Sequence, residues 1–213
     1  MIKAIKRSVK AFLKPSLTDL NMEEIRELWP SAIRLSSKHI EGSTLVHHRE
    51  ELLNFVPKNS VCAEVGIFKC SYSKKILDAT KPEKLHLIDI SNDSIELASS
   101  LFPEGIESKQ VELHKGDSST ILSQFPNEYF DWVYIDGDHS YEGCKKDLDA
   151  AYPKMKPEGK ILLNDYIYFS SSNMEKFGVV EAVNEFCIAH NYKIKYMSLH
   201  GRMYNDVYLE KIN

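Results

Sequence analysis

The stretch from Ser60 to Leu77, SVCAEVGIFKCSYSKKIL, sets the pattern for the rest of the chain. It opens with a short apolar run, turns at Gly66, and continues with apolar residues at helical spacing. A strand, a turn and a helix are therefore predicted here, and the pattern recurs. Further short apolar runs, separated by helical patterns, occupy residues 85–90, 111–114, 132–135 and 160–163. Strands that alternate with helices at this spacing predict an α/β fold with a mainly parallel sheet and helices on both faces.

The C-terminal end of the chain departs from this alternation. Residues 193–199 and 204–209 have strand-like patterns, and His200, Gly201 and Arg202 lie between them. Two strands joined by a short connection predict an antiparallel hairpin. An α/β sheet that ends in such a hairpin is a narrower fold class than doubly wound sheets in general.

Composition limits the classes of protein to which the chain can belong. Of its 213 residues 43% are hydrophobic, which is enough for a buried core and excludes wholesale disorder. No apolar run is long enough to span a bilayer. The formal net charge of −4 lacks the basic excess of a general nucleic-acid binder, so no nucleic-acid partner is expected. The four cysteines form no C-x-x-C pair and we see no secretory signal, which predicts a reduced, cytoplasmic protein.

The first 15 residues, MIKAIKRSVKAFLKP, differ from the rest of the chain. Five Lys or Arg residues occur there with no acidic residue, and apolar residues recur at helical spacing, so a basic amphipathic helix is predicted. We favour packing of this helix on the domain or on a second copy in a homodimer over contact with an anionic membrane surface, because its apolar stripe is short and lacks Trp. Further helical patterns up to Pro57 predict an N-terminal helical extension, or lid, over residues 1–57.

A glycine turn follows the first predicted strand and polar residues follow the others, all at the edge of the sheet where ligands of such folds bind. The set comprises Gly66, Asp89, Asp117, the turn from Asp136 to His139, and Asn164 with Asp165. Asp89 lies about 20 residues beyond the glycine turn, where a carboxylate can accept the ribose hydroxyls of a nucleoside. Asp117 can bond an exocyclic amine or simply cap a helix. Helix caps alone do not require an Asp-Gly-Asp-His cluster followed by Asn-Asp, so a functional site is predicted at this edge.

Three motifs in this order resemble those of class I S-adenosylmethionine-dependent methyltransferases. They are Glu64-Val65-Gly66 with Ser73 after the first strand, the run IDGDHSYEG from Ile135 to Gly143, and the glycine turn and strand from Gly159 to Asp165. The subgroup with the most similar motifs includes macrocin-type sugar O-methyltransferases, with catechol-type enzymes as more distant relatives. The resemblance extends over residues 42 to 190, and the IDGDHSYEG run is its most specific part.

The resemblance implies a fold, a cofactor and a set of contacts. The fold is Rossmann-like, with a doubly wound, mainly parallel seven-stranded sheet in the order 3-2-1-4-5-7-6 within a cofactor-binding methyltransferase domain over residues 58–213. The implied cofactor is S-adenosylmethionine. The residues implied to contact it are Glu64, Gly66 and Ser73 at the methionine end, Asp89 at the ribose, Asp117 and Ser118 at the adenine, and also Ile67, Ile90, Asp136, Gly137 and His139.

The resemblance also implies a reaction, the O-methylation of a small-molecule or saccharide acceptor. In relatives that use a metal, the positions of Asp136, Asn164 and Asp165 supply the ligands, and their oxygen donors suit Mg²⁺. The position of His139 is that of the general base in macrocin-type members, and Asp136 is expected to act with it. A sulfonium methyl is a strong electrophile, so such an enzyme mainly aligns a hydroxyl and removes its proton.

One position departs from the family pattern. Cys70 stands where the family has its second glycine. A cysteine is strained there if the backbone needs a positive φ, and costs little if it lies in the first turn of the helix. We expect the second arrangement, and we expect a packing residue rather than a reactive thiolate.

Two other functions fit parts of the sequence. An NAD(P)-dependent short-chain reductase shares the sheet and the acid after the second strand, and Tyr141 with Lys145 matches its Tyr-x-x-x-Lys pair. Against it, the glycine turn lacks the further glycines that seat a pyrophosphate. A non-catalytic cofactor-binding subunit is favoured by Cys70 and by the amide Asn164 in place of an acid. Titration with NAD, NADP and S-adenosylmethionine tests the first alternative, and product formation tests the second.

Overall fold

The computed structural model describes residues 33–172 and 174–212. Their strands are β1 (Thr44–Val46), β2 (Val61–Val65), β3 (Lys84–Asp89), β4 (Val111–Lys115), β5 (Phe130–Ile135), β6 (Met155–Leu163), β7 (Phe169–Ser170), β8 (Glu175–Lys176), β9 (Tyr192–Ser198) and β10 (Val207–Lys211). Their α-helices are α1 (Arg49–Leu52), α2 (Ser71–Thr80), α3 (Asn92–Leu101), α4 (Pro103–Glu107), α5 (Ser118–Gln124), α6 (Tyr141–Ala151) and α7 (Val179–His190). β7 and β8 pair with each other, and the other eight strands form one sheet.

The sheet has the strand order β1-β9-β10-β6-β5-β2-β3-β4. From β4 to β9 this is the predicted order 3-2-1-4-5-7-6, and the predicted Rossmann-like α/β class is confirmed. The predicted count of seven strands is wrong, because β1 adds an eighth strand at the edge, parallel to β9 with Thr44 opposite Tyr196. Three residues are too short a run to be recognised as a strand from sequence, and β1 is fixed by its pairing with the far end of the chain.

The predicted C-terminal hairpin is confirmed in β9 and β10. β10 runs antiparallel to both of its neighbours, β9 and β6. Val207, the first residue of β10, lies opposite Leu163, the last residue of β6. The hairpin loop is therefore brought beside the end of β6, where Asn164 and Asp165 follow.

Buried apolar side chains form a layer on each face of the sheet. Successive residues of β2 point to opposite faces, so Ala63 packs in one layer and Cys62 in the other. The first layer also contains Phe186 of α7, and the second contains Ile76 of α2. Each fully buried large aliphatic side chain contributes about 1.5–3 kcal/mol to folding, and the two layers hold the strand ends in fixed relative positions.

The predicted basic helix of residues 1–15 lies outside the described residues. Its proposed contact with the domain, with a second copy or with a membrane surface therefore stays a prediction. Of the predicted extension over residues 1–57, the part that the structure describes contains β1 and α1. Among the described residues, no helix combines the length and the apolar character needed to cross a bilayer.

Candidate active site

The C-terminal ends of β2, β3, β4 and β5 surround a cleft of about 980 Å³. The sequence-predicted site residues that line it are Gly66, Asp89, Ile90, Asp117, Ser118, Asp136, Gly137 and His139. Because the four strands are parallel, the loops after them converge on the same edge of the sheet. The remaining predicted cofactor residues, Glu64, Ile67 and Ser73, are buried beside the loop that follows β2.

Gly66 lies where the loop after β2 passes close to the loop after β5. Its φ is +80°, and a Cβ atom built on it would lie 1.9 Å from the backbone oxygen of Asp136. Glycine alone combines this backbone conformation with so close an approach. The glycine of the predicted motif therefore has a steric role, which is to let two loops of the cleft meet.

Asp89 ties the loop after β2 to the end of β3. Its Oδ2 accepts hydrogen bonds from the backbone N–H groups of Ile67 at 2.9 Å and Phe68 at 3.1 Å, and its Oδ1 accepts one from Ser91 at 2.7 Å. A carboxylate has about four acceptor positions, so about one remains for a ligand in the cleft. Asp89 thus shapes the glycine loop as well as facing the cleft.

Asp117 and Ser118 form the far wall of the cleft at the start of α5. Asp117 Oδ1 accepts from the backbone N–H of Thr120 at 2.8 Å, so it is the helix cap that the sequence allowed. Hydrogen bonds from Thr120 and Ser119 lower the pKa of Asp117. Ser118 Oγ donates to Asp147 Oδ1 at 2.6 Å, which places a buried carboxyl of α6 behind the wall. Sequence analysis missed Asp147, whose helical position looks like any exposed acid.

Glu64 and Ser73 are buried polar residues, and each has a side-chain oxygen that makes no hydrogen bond in good geometry with the described residues. Among the described residues, Glu64 Oε2 and Ser73 Oγ have no hydrogen-bond partner. Burial, followed by the nearby carboxylates of Asp136 and Asp89, raises the pKa of Glu64 to about 8, although the neighbouring Ser73 hydroxyl and Arg49 guanidinium offset part of that rise. A buried carboxyl with one oxygen that lacks a hydrogen bond is costly, and a donor or a cation on a bound ligand would reduce that cost.

Cys70 corrects one expectation from the sequence. It does not lie in the first turn of α2; it precedes that helix as its N-cap, in the left-handed conformation with φ +58° and ψ +16°. This is the positive φ for which the family glycine is suited, and a non-glycine residue there costs about 1–2 kcal/mol. The side chain is buried, and burial raises the pKa of its thiol to about 11, so it is a packing residue as expected.

His139 lies between two carboxylates in the turn after β5. Its Nε2 is 3.4 Å from Asp136 Oδ1 and 3.6 Å from Asp165 Oδ2. Its ring stacks on Phe177 with centroids 4.7 Å apart and planes 7° apart, and its backbone oxygen accepts from Gly178 at 2.8 Å. Burial alone would lower the pKa of His139, but Asp136 and then Asp165 outweigh it and raise that pKa above its ordinary value.

Asn164 and Asp165 follow β6 as predicted, and a third residue supports them. Asn164 Nδ2 donates to Asp206 Oδ1 at 3.1 Å, and Tyr134 donates to Asp206 Oδ2 at 2.6 Å. Burial raises the pKa of Asp206 to about 7. Sequence analysis missed Asp206 because it lies in the hairpin connection, and its partners come from strands distant in sequence.

A second cleft of about 550 Å³ adjoins this point. Its lining includes Arg49, Asn164, Asp165, His200, Arg202 and Asp206. Arg49 of α1 reaches the end of β5, where its Nη1 lies 3.6 Å from Asp136 Oδ2 and donates to the Tyr134 hydroxyl at 3.2 Å. Sequence analysis missed Arg49 because no motif surrounds it. The His139 imidazole, bordered by Asp136 and Asp165, is where the two clefts approach each other.

The magnesium site predicted at Asp136, Asn164 and Asp165 stays a prediction. Among the described residues, the group of His, Cys, Asp and Glu side chains whose ligand atoms gather within 4.8 Å of one another lies elsewhere, on β3 and β4. Asp136 is paired with the Arg49 guanidinium, and the imidazole of His139 lies between Asp136 and Asp165. A guanidinium and an imidazole thus lie beside the two carboxylates, and no step proposed below uses a metal.

Residues 64–166 match the model of a protein family described as a methyltransferase domain. The matched segment contains every predicted site residue, from Glu64 to Asp165. The family match and the fold support a class I S-adenosylmethionine-dependent methyltransferase. A comparison with curated protein sequences finds no match to this chain.

Several solved structures share the fold of this chain. A Corynebacterium glutamicum protein is 15% identical with a TM-score of 0.59, and the match covers 100% of this chain and 97% of that one. An S-adenosylmethionine-dependent methyltransferase from Aquifex aeolicus is also 15% identical, with a TM-score of 0.58 and coverage of 91% and 100%. A B. subtilis tRNA methyltransferase is 12% identical, with a TM-score of 0.58 and coverage of 79% and 67%. At these identities the likeness shows the fold alone.

The methyltransferase match bears on the alternatives from sequence. It does not favour the short-chain reductase, and in the structure the Tyr141 hydroxyl donates to Glu185 Oε2 at 2.6 Å. The chemical class of the acceptor and the atom that is methylated stay predictions, since structures of the same fold include a tRNA methyltransferase.

Proposed function

We propose that this methyltransferase transfers the methyl group of S-adenosylmethionine to a hydroxyl oxygen of a small-molecule or saccharide acceptor, with His139 as the general base. The observation that carries the proposal is the position of the His139 imidazole, which lines the cleft at the strand ends and has its Nε2 3.4 Å and 3.6 Å from two carboxylates. The buried Nε2 makes no hydrogen bond in good geometry with the described residues. It is thus placed to accept a proton from a bound hydroxyl.

The cofactor residues support the first half of this proposal. Glu64 Oε2 and Ser73 Oγ are placed to accept hydrogen bonds from the ammonium group at the methionine end of the cofactor. Burial favours the neutral form of Glu64, and a bound cation would favour its ionised form again. Asp89 would accept a ribose hydroxyl, and the start of α5 at Asp117 and Ser118 would contact the adenine. When bound, S-adenosylmethionine supplies an electrophilic methyl group on a sulfonium.

The chain's own chemistry is proton removal and alignment. An alcohol is a weak nucleophile until its proton is withdrawn, and His139 Nε2 would accept that proton as the oxygen bonds to the methyl carbon. The carboxylates of Asp136 and Asp165 stabilise the imidazolium that forms, and the stacked Phe177 fixes the plane of the ring. Holding the two reactants in one geometry supplies much of the remaining acceleration.

The second cleft supports a compact acceptor. Its volume of about 550 Å³ lies in the range of small-molecule sites, and Arg49, Arg202 and His200 provide donors for hydroxyl or anionic groups. It opens beside Asp165, so a hydroxyl bound there can face His139. The metal prediction is not part of this proposal.

The test measures S-adenosylhomocysteine formation with a panel of hydroxylated acceptors. For an accepted substrate, His139→Gln is expected to lower kcat by about 100-fold or more, because general-base catalysis contributes about that much. His47→Gln changes an exposed histidine outside both clefts and serves as the control. Methylation of RNA but of no small molecule or saccharide would contradict the proposal, as would a His139→Gln variant with wild-type turnover.

The pH dependence of kcat gives a second test. The raised pKa of His139 means that the imidazole loses its proton, and becomes a base, only above its ordinary pKa of 6.5. Activity is therefore expected to rise with pH through a limb centred above 6.5. Asp165→Asn removes one stabilising carboxylate and is expected to move that limb to lower pH. An acid limb that does not move in Asp165→Asn would argue that another group is the base.

Calorimetric titration separates the alternatives from sequence. S-adenosylmethionine is expected to bind, and NAD and NADP are not. A variant with Glu64→Gln is expected to bind S-adenosylmethionine at least about 10-fold more weakly, because the paired charge is lost. Tight NAD binding would support the reductase, and cofactor binding without turnover on any acceptor would support a non-catalytic subunit.

A further inference from the structure

A cluster of two histidines and a glutamate lies on the sheet apart from both clefts. His86 is on β3, and Glu112 and His114 are on β4, the edge strand of the sheet. Glu112 is directly opposite His86 in the parallel register, and His114 is two residues further along β4, so all three side chains point to the same face. None of the three lines the site described above.

The ligand atoms of this cluster are already close together. His86 Nδ1 lies 2.9 Å from His114 Nε2 and 3.4 Å from Glu112 Oε2, and the three ligand atoms fall within 4.8 Å of one another. Zinc binds imidazole nitrogen and carboxylate oxygen at about 2.0–2.2 Å, so tetrahedral ligands on one zinc lie about 3.3 Å apart. The observed spacing therefore needs shifts of only a few tenths of an ångström between the closest atoms.

A hydrogen bond beside the cluster is compatible with the tautomer that a metal needs. His86 Nε2 lies 3.1 Å from the Tyr129 hydroxyl. When Nε2 carries the proton and donates it to Tyr129, the lone pair of Nδ1 faces His114 and Glu112. Metal-bound histidines usually donate their other N–H in this manner, which orients the ring. Tyr129 therefore acts as a positioning residue for His86.

The remaining contacts leave the ligand atoms available. Lys84 Nζ bonds Oε1 of Glu112 at 2.5 Å, so Oε2 is the oxygen that faces the imidazole. Both imidazole rings bind a metal in their neutral form, through the nitrogen that faces the other two side chains. The Glu112 side chain is 37% exposed, which gives an ion access from solvent.

We propose that His86, Glu112 and His114 form a zinc site that joins the edge strand β4 to β3. Three protein ligands leave the fourth tetrahedral position to water. On binding, the proton that His114 Nε2 shares with His86 Nδ1 moves to His114 Nδ1, so both facing nitrogens become ligands and no net charge is lost from the imidazoles. The site is separate from methyl transfer, and its effect is to hold an edge strand in register.

The test is a competition titration of the full chain with Zn²⁺ against a chromophoric chelator, with Co²⁺ absorption as a second readout. The wild type is expected to bind one zinc per chain with a Kd of about 1 µM or tighter, and Co²⁺ to give a tetrahedral spectrum. His114→Gln and Glu112→Gln are expected to weaken zinc binding by about 100-fold, and Tyr129→Phe by about 10-fold. Zinc is also expected to raise the Tm of the wild type but not of His114→Gln.

His47→Gln, which removes an exposed histidine, is the matched control and is expected to bind zinc as the wild type does. Circular dichroism of each variant checks the fold, and Glu112→Gln, at a half-exposed edge position, provides a variant that does not disturb the buried layer. The proposal is wrong if the wild type has no tight site, or if His114→Gln and Glu112→Gln both keep wild-type affinity. Loss of zinc in His139→Gln instead would assign the ion to the methyltransferase site.

Discussion

At the scale of single residues, backbone conformation explains which positions of the glycine loop tolerate a side chain. Gly66 needs both a positive φ and the absence of a Cβ, because the backbone of Asp136 passes 1.9 Å from where that atom would lie. Cys70 has a positive φ as well, yet its side chain finds space in the buried layer with Tyr72 and Ile76. The burial of the thiol offsets part of the conformational cost, so cysteine can replace glycine at one of these positions and not at the other.

A set of three glycine variants separates the two effects. Gly66→Ala is expected to lower the free energy of unfolding by about 3 kcal/mol or more, because strain and a backbone clash add. Gly42→Ala has the strain of φ +70° with no atom within 4 Å, and about 1 kcal/mol is expected. Gly201→Ala has neither feature and is expected to change stability by less than about 0.5 kcal/mol. Urea denaturation measures all three, and equal losses at Gly66 and Gly42 would show that the clash relaxes.

At the scale of elements, the turn between β5 and α6 holds the proposed base. Ser140 begins α6: its Oγ accepts from the backbone N–H of Gly143 at 3.0 Å, while its own N–H donates to Asp138 Oδ1 at 2.8 Å. Both bonds are local in sequence, so the run IDGDHSYEG specifies this turn almost by itself. What the run does not specify is the partners of His139 on its other sides, since Asp165 follows β6 and Phe177 comes from the segment before α7.

Removing this cap is expected to loosen the turn. Ser140→Ala should lower the free energy of unfolding by about 1 kcal/mol, the usual cost of losing a serine N-cap. Ser100→Ala, which removes a hydroxyl bonded only to the preceding turn of an exposed helix end, is the control and should change stability by less than about 0.5 kcal/mol. Guanidinium denaturation of both variants provides the comparison, and indistinguishable midpoints would mean that the cap contributes nothing measurable.

At the scale of the whole molecule, the edge of the sheet that carries the candidate site contains buried carboxyl groups with raised pKa values. Glu64 and Asp206 are 142 positions apart in the sequence, and burial raises their pKa values to about 8 and about 7. Stabilisation of the neutral forms by the fold means that the folded state holds more protons than the unfolded state near neutral pH. The ligand-free protein is therefore less stable at the upper end of that range. Such a cost is typical of a site shaped for its ligands rather than for stability.

The free energy of unfolding without cofactor should therefore fall as pH rises from 6.5 to 8. The sign follows from the raised pKa of Glu64, since stability is full below the unfolded-state value of 4.5 and is lost as pH rises through about 8. The expected loss is about 2 kcal/mol, and Glu64→Gln should remove most of it. Glu83→Gln, at an exposed position, is the control. Denaturant titrations at several pH values measure the slope, and a wild-type slope retained in Glu64→Gln would contradict the assignment.

The alternation of strands and helices, the C-terminal hairpin and the residues at each strand end could all be predicted from the sequence, because periodicity, glycine turns and helix caps act over a few residues. Four features became visible only in the folded chain: the eighth strand at Thr44–Val46, the left-handed conformation of Cys70, the approach of Arg49 and Asp206 to the site, and the contact of His86 with His114. These features depend on pairings between strands and on packing across long sequence separations. Such pairings depend on the register of the folded sheet as a whole, and no local sequence pattern predicts them.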